Sequence, residues 1–399
     1  MMSVRKIKTD VYAVGAIDWD RRLFDALIPL PEGTTYNSYL VKGGEKTMLI
    51  ETVDPTMTHV LLGNLKELGV DSIDYVVANH AEQDHSGSLP VVLDAFPMAQ
   101  LVCSNKCKPM LIDLLAIPEE RFHTVENGAT LELGGKSLQF LYTPWVHWPE
   151  TMVTYLKEDR ILFSCDFLGA HLASSDLFVD DKAALHIAAK RYFGEIMMPF
   201  RAAIQNNLDK ISGLEIDIVA PSHGPLYNKP RTIIESYRDW ADPEPKNLVV
   251  IPYVTMHGST KLMVDRLVGA LIDQGVTVEQ FDLTSVDLGE LGIGLVDAAT
   301  IVLGAPTVLM GAHPLALYAA HLANALRPKL RFVSLIGSYG WGTKVVEQVS
   351  GILTNLKVEV IEPVIVKGAP TQETFAALDR LAGEIAAKHR ENGFKAYSD

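Results

Sequence analysis

The chain has 399 residues, 48% hydrophobic, 21% charged and 8% aromatic, an ordinary globular balance with apolar material for two or three domains. That balance argues against disorder, except in the few residues after Glu391. A net charge of −14 argues against sequence-independent nucleic-acid binding, which relies on Lys and Arg neutralising phosphates, and leaves room for a positively charged protein partner.

In chain order, the first ten residues carry charge without an apolar core, so no signal peptide is expected, and no apolar run is long enough to cross a membrane as a helix. Segments Thr35–Val41, Lys46–Glu51, Tyr75–Ala78, Ser137–Tyr142, Thr151–Leu156 and Arg160–Phe163 alternate or run apolar and predict strands. Pro55–Leu68 and Ser88–Phe96 predict helices between them, so this part reads as a mixed α/β domain with sheet packed on sheet. Cys103, Cys107 and Cys165, the only cysteines, are too few for a disulfide framework or a four-cysteine metal site; they read as ordinary thiols in a reducing, cytoplasmic compartment.

Trp240–Lys246 is polar, holds two prolines and reads as a linker, dividing the chain into domains 1–245 and 246–399. Beyond it, apolar runs Leu248–Val254, Thr300–Leu303, Phe332–Ile336 and Val358–Ile361 alternate with helical stretches Lys261–Gln274, Pro314–Ala325 and Thr343–Leu356. That alternation predicts an open parallel sheet with helices on both faces.

The strongest chemical signal is His80-Ala81-Glu82-Gln83-Asp84-His85, four potential metal ligands in six residues directly after the Tyr75–Ala78 strand. His147, Asp166 and His223 also follow predicted strands by a few residues. Four imidazoles and three carboxylates serve two metals with three or four ligands each if one carboxylate bridges, and such a donor set suits iron, zinc or manganese. With twelve histidines in the chain, a lone one means little; the six-residue cluster carries the inference.

The pattern resembles the metallo-β-lactamase superfamily, whose hydrolases carry His-x-His-x-Asp-His. Here Glu82 stands at the second histidine, a replacement characteristic of flavodiiron proteins, and the whole chain resembles that family. Thr35-Tyr36-Asn37-Ser38-Tyr39, His147-Trp148-Pro149-Glu150-Thr151 and Ser222-His223-Gly224-Pro225 are further shared phrases. The resemblance implies an αββα sandwich in which His80, Glu82 and His147 hold one iron, Asp84, His85 and His223 the other, and Asp166 bridges. His171, five residues after Asp166, and Tyr192 are candidate catalytic groups beside the metals.

Three loops after strands of the second part carry the other signal. Thr255-Met256-His257-Gly258-Ser259-Thr260 joins a strand to a helix and places hydroxyls, glycine and a helix N-terminus where a phosphate can sit. It matches neither the nucleoside-triphosphate loop nor the Gly-x-Gly-x-x-Gly dinucleotide fingerprint. The second loop brings Pro306, Thr307, Val308, Leu309 and Gly311; the third brings Ser338, Tyr339, Gly340, Trp341 and Gly342. All three share the carboxyl edge of the sheet, where open α/β sheets bind ligands. Residues 247–399 resemble flavodoxin, which implies FMN, with Tyr339 and Trp341 near its ring and His257 where many flavodoxins have a hydroxyl or aromatic residue.

Reduced FMN and two Fe(II) ions hold four electrons, the number that takes O₂ to two waters; two suffice to join two NO into N₂O and water. The expected activity is an FMN- and diiron-dependent O₂ and/or NO reductase. The resemblance also implies a head-to-tail homodimer or dimer of dimers. The sequence has no C-terminal Cys-x-x-Cys pair, so electrons are expected from a separate carrier such as rubredoxin. The alternatives are a zinc hydrolase with an appended flavodoxin, and a pure electron carrier with an inert partner domain.

Overall fold

The computed structural model describes residues 4–179 and 182–397. The chain forms two compact units: residues up to Tyr192 with Phe200–Ala241, and Phe193–Pro199 with the residues from Asp242 onward.

The first unit holds a seven-stranded sheet ordered β1 (Arg5–Lys8), β2 (Val11–Ala13), β3 (Tyr39–Lys42), β4 (Thr47–Ile50), β5 (Tyr75–Ala78), β6 (Gln100–Ser104), β7 (Phe122–Val125). The first four strands pair antiparallel, and β4 to β7 pair parallel. Its five-stranded partner runs β8 (Thr130–Glu132), β9 (Ser137–Tyr142), β10 (Met152–Leu156), β11 (Ile161–Cys165), β12 (Ile218–Pro221).

Alternation sets the layers. Tyr75 and Val77 join Leu138, Phe140, Ile161 and Phe163 in the core between the sheets, while Val76 and Ala78 face Leu61, Leu89, Val92 and Leu111 of the outer helices. Strand β5 is therefore buried on both faces, which is why its sequence reads as a continuous apolar run.

Topology decides where chemistry collects. Strands β9 and β10 are antiparallel, β10 and β11 antiparallel, and β11 and β12 parallel, so β9, β11 and β12 all end on one edge. His147 follows β9, Asp166 follows β11 and His223 follows β12.

The second unit is a parallel sheet ordered β14 (Thr277–Asp282), β13 (Lys246–Tyr253), β15 (Ala298–Gly304), β16 (Phe332–Tyr339), β17 (Glu359–Val360), with β18 (Val364–Lys367) also pairing β16. Val249, Ile251 and Tyr253 pack under helices Ser259–Asp273 and Gln372–Glu391. Helices Leu288–Asp297 and Pro314–Leu326 pack on β13 and β15 to cover the alternate face, giving the doubly wound arrangement that the alternation of runs predicts.

Four local expectations change. The Thr35–Val41 run divides at Asn37 and Ser38 into Thr34–Tyr36, which pairs with Ala16–Asp18, and β3 in the seven-stranded sheet. Trp240 and Ala241 end the helix Pro230–Ala241 instead of opening a linker, because Ile233, Tyr237 and Trp240 continue its buried face; Asp242–Pro245 alone connects it to β13. The Val358–Ile361 run shortens to β17, and beyond Pro363, which cannot donate to a ladder, β18 adds a strand that was not expected. Helix Thr343–Leu356 shortens to Val345–Ile352.

Candidate metal centre and flavin pocket

His80 lies two residues past β5, and Glu82 caps the short helical turn Gln83–Ser86 that carries Asp84 and His85. The backbone N–H groups of His85 and Ser86 donate to the Glu82 carbonyl at 3.1 and 2.9 Å, so the motif is a rigid turn.

The seven expected donors converge into two groups. In the first, Glu82 Oε2 lies 3.1 Å from His80 Nε2 and 3.0 Å from His147 Nε2. In the second, Asp84 Oδ2 lies 2.9 Å from His223 Nε2 and 3.3 Å from His85 Nε2. Asp166 serves both: Oδ2 is 3.5 Å from His80 and His147, and Oδ1 is 3.1 Å from His85 and 3.4 Å from His223. Within each group the ligand atoms lie within 4.8 Å of one another, the span one cation can gather.

The residues fit metal ions on physical grounds. Both oxygens of Asp84, both oxygens of Asp166 and Nε2 of His85 are buried without a hydrogen-bond partner. An orphaned buried polar atom costs about 1–3 kcal/mol, more when charged, and five in one cluster call for cations. Burial pushes the Asp166 carboxyl up, but the His85 charge and the His147 and His80 rings outweigh it and hold it well below the usual carboxylate range. Burial also works against a charged His85, yet Asp166 and Asp84 push that imidazole up to about 10. Without metal, protons stand in on the imidazoles; a bound cation displaces them.

Outer contacts aim the rings. Nδ1 of His80 donates to Glu150 Oε1 at 2.7 Å, which also accepts from the Ala81 backbone N–H at 3.0 Å. Nδ1 of His223 donates to the Thr35 carbonyl at 2.7 Å. In both rings Nε2 is left for the centre. Glu51, fully buried, lies beside His85 and Cys165.

His171 and Tyr192 stand at the second group. The His171 ring lies 4.8 Å from that of His223 and 4.9 Å from Tyr192, and its Nδ1 is 2.8 Å from Thr34 Oγ1. Burial, then the His223 charge, hold His171 well below its ordinary value, so it is neutral. Burial and then the Asp166 charge raise Tyr192, so its hydroxyl keeps its proton. Phe24 packs 5.2 Å from His171, and its neighbour Asp25 is pushed up by burial and by Glu82 and Asp84.

Glu150, Thr34, the Thr35 carbonyl, Glu51 and Asp25 carry no role in the sequence reading. Glu150 and Thr35 stand inside the phrases that mark the resemblance, which is a usable signal; Asp25 and Glu51 have none.

In the second unit a cavity of about 510 Å³ opens at the carboxyl ends of β13, β15 and β16, where the strand order reverses. Thr255, Met256, His257, Ser259 and Thr260 line it from the first loop; Pro306, Thr307, Val308 and Leu309 from the second; Ser338, Tyr339, Gly340 and Trp341 from the third. Gly368 and Ala369 join the lining without having been expected, whereas Gly258, Gly311 and Gly342 lie outside it. Gly258 instead takes the left-handed conformation, φ 86°, that opens the helix Ser259–Asp273. A Cβ on Gly311 would meet Gln348 at 2.6 Å, and one on Gly342 would meet Met310 at 2.8 Å. Thr260 Oγ1 is buried without a partner beside the helix N-terminus, and this orphaned donor fits a phosphate.

Fold and sites together define a β-lactamase-like dinuclear metal unit joined to a flavodoxin-like unit. A model of the "ODP family beta lactamase" matches residues 34–224. A nitric oxide reductase of Moorella thermoacetica is 34% identical, covering 96% of this chain and 98% of that protein. The rubredoxin oxygen:oxidoreductase of Desulfovibrio gigas superposes with a TM-score of 0.91 at 29% identity, covering 98% of this chain and 99% of that one. The flavodiiron protein of Giardia intestinalis gives 0.90 at 25% identity, covering 98% of each. This chain belongs to the flavodiiron protein family.

Proposed function

We propose that this protein is an FMN- and diiron-dependent reductase of O₂ to water and/or of NO to N₂O. The observation that carries the reading is Asp166, whose two oxygens address two separate groups of donors while Glu82 supplies the carboxylate in the first. His80, Glu82 and His147 would hold one iron and Asp84, His85 and His223 the other, with Asp166 shared between them. Together, bound FMN and two irons supply the four electrons for O₂ or the two that join NO molecules.

The chain's own residues prepare that chemistry. Three carboxylates against two divalent cations leave the centre close to neutral, which eases its oxidation. Tyr192 offers an O–H beside Asp166, and neutral His171 fills the wall next to His223. The loops Thr255–Thr260, Pro306–Leu309 and Ser338–Trp341 line the flavin site, and Gly258, Gly311 and Gly342 shape those loops from outside the lining.

Residues 1–245 make the diiron domain and 246–399 the flavin domain, a division that the short Asp242–Pro245 connection supports, although Phe193–Pro199 groups with the second unit. Electrons come from a separate carrier such as rubredoxin, which the name of the Desulfovibrio gigas relative supports. The working unit is a head-to-tail homodimer. Exposed apolar side chains at the cavity rim support it: Leu309 at 87%, Trp341 at 79% and Met256 at 51% exposure. No helix among the described residues is long and apolar enough to cross a membrane, and three buried free thiols support a cytoplasmic setting.

The test is metal and flavin analysis of purified protein, followed by anaerobic stopped-flow of the reduced protein against O₂ and NO separately. Two irons and one FMN per chain with rapid reoxidation are expected. Stoichiometric zinc, hydrolase activity and no gas consumption would overturn the reading.

A further inference from the structure

On the reading that the cavity takes FMN, we propose that His257 is the cation facing the flavin phosphate, so that it selects FMN over riboflavin and couples flavin retention to proton uptake. A phosphate monoester carries about −1.5 to −2 charges at neutral pH, and a protein site answers with Arg, Lys or many N–H and O–H donors. The cavity is lined by Thr255, Ser259, Thr260, Thr307 and Ser338, which carry hydroxyls, and among the described residues no Lys, Arg, Asp or Glu stands in its wall. Among the described residues, His257 and Tyr339 are its only titratable lining residues, and of these only His257 can become a cation.

The surrounding structure supports that assignment. Thr255 Oγ1 already accepts from the N–H groups of Gly258 at 3.1 Å and Lys261 at 3.4 Å, so it organises the loop. Thr260 Oγ1 remains buried and without a partner, which locates the anion at this end of the helix Ser259–Asp273. Lys261, the nearest lysine in sequence, is turned away: its ammonium pairs with Asp265 and sits 6.0 Å from the Tyr253 ring centre. His257, in the same loop, is exposed and lines the cavity.

The charged and titratable groups of the neighbouring elements do not replace it. Lys261 and Asp265 on the helix offset each other. Asp282, at the end of β14, accepts from the Thr284 N–H and hydroxyl at 3.0 and 2.7 Å. Tyr253 and Tyr339 are phenols; Lys367, which ends β18 just before the lining residue Gly368, lines a separate cavity along the helix Gln372–Glu391, and exposed Lys344 lies past the third loop, outside the lining.

An imidazole beside a phosphate dianion gains a proton, because an opposite charge favours the charged form. The bound state therefore holds the proton to higher pH than the free state. The added affinity is present where the imidazole is protonated and fades as pH rises.

The experiment strips flavin from the full-length chain and measures Kd for FMN and for riboflavin by flavin fluorescence, across about pH 6.5–8.5, the interval over which imidazole discharges. The variants are His257→Gln and His257→Lys. Wild type should bind FMN roughly tenfold more weakly at the upper end, the size expected for one charge-assisted contact. H257Q should be weak at every pH, H257K tight at every pH, and riboflavin indifferent to all three. Because the loop is exposed, unchanged thermal unfolding of the stripped variants checks folding. Wild-type FMN affinity and pH profile preserved in H257Q overturn this inference alone. Wild-type protein that binds FMN no better than riboflavin also overturns this inference, whereas wild-type protein that binds neither overturns the flavin reading as well.

Discussion

Glu150 and His80, seventy residues apart, meet at 2.7 Å, with the carboxylate also held by the Ala81 backbone N–H at 3.0 Å. An ionised carboxylate only accepts, so Nδ1 of His80 carries the proton and Nε2 is committed to the metal side. Glu150 is a positioning residue, acting through the ring it holds.

Glu150→Ala is expected to free that ring and to weaken iron binding by about 10- to 100-fold, the range for lost outer partners of metal-bound histidines. Glu150→Gln keeps an oxygen acceptor and should lose less. Iron retained per chain under a chelator challenge checks this, and E150A holding iron as wild type does would show that the contact is packing only.

Asp166→Ala should remove the one side chain common to both groups. Both irons are expected to be lost while FMN stays at one per chain, since the flavin cavity is built from other residues. Retention of both metals with full turnover would contradict the bridging role.

Thr260→Val tests the flavin pocket from another side. The hydroxyl has no partner within the protein, so the flavin-free variant should be no less stable than wild type. Its Kd for FMN should rise about tenfold, the cost of one donor to a charged phosphate. Unchanged affinity would move the phosphate elsewhere.

His389 gives the second unit a pH dependence. Burial pulls its imidazole down to about 4 from an ordinary 6.5, and the neutral ring bonds Asn247 Oδ1 at 2.8 Å and Thr300 Oγ1 at 2.7 Å. Between those values the unfolded chain takes up a proton that the folded one refuses, so stability falls as pH drops through that window and levels off below it. Urea unfolding followed by flavin release should show this slope, and His389→Gln should flatten it; identical slopes would sink the assignment.

The proposed head-to-tail dimer predicts complementation. A chain lacking iron, His80→Ala with Asp166→Ala, mixed with a chain lacking flavin, should recover reductase activity in the mixed dimer. A stable mixed dimer with no activity would mean that each chain uses its own flavin.

The donor types and the loops were legible from residue order. His80 to His85 follow a strand that is apolar throughout because both its faces are buried, and ligands crowded into one turn need no distant partner to be noticed. The three flavin loops each follow a strand, so a shared edge follows from parallel alternation alone. The linker reading failed at Trp240 for the opposite reason: two nearby prolines outweighed an apolar spacing that only packing makes visible.

Tertiary structure decided the rest. It divided the Asp166 oxygens between two groups, turned Lys261 onto Asp265 while His257 lines the cavity, and brought the Thr35 carbonyl to His223 across 188 residues. Periodicity records which face a side chain takes within one element. Which strand ends meet depends on sheet order and strand direction, and those are settled by burying both sheets at once, a constraint that belongs to the whole chain.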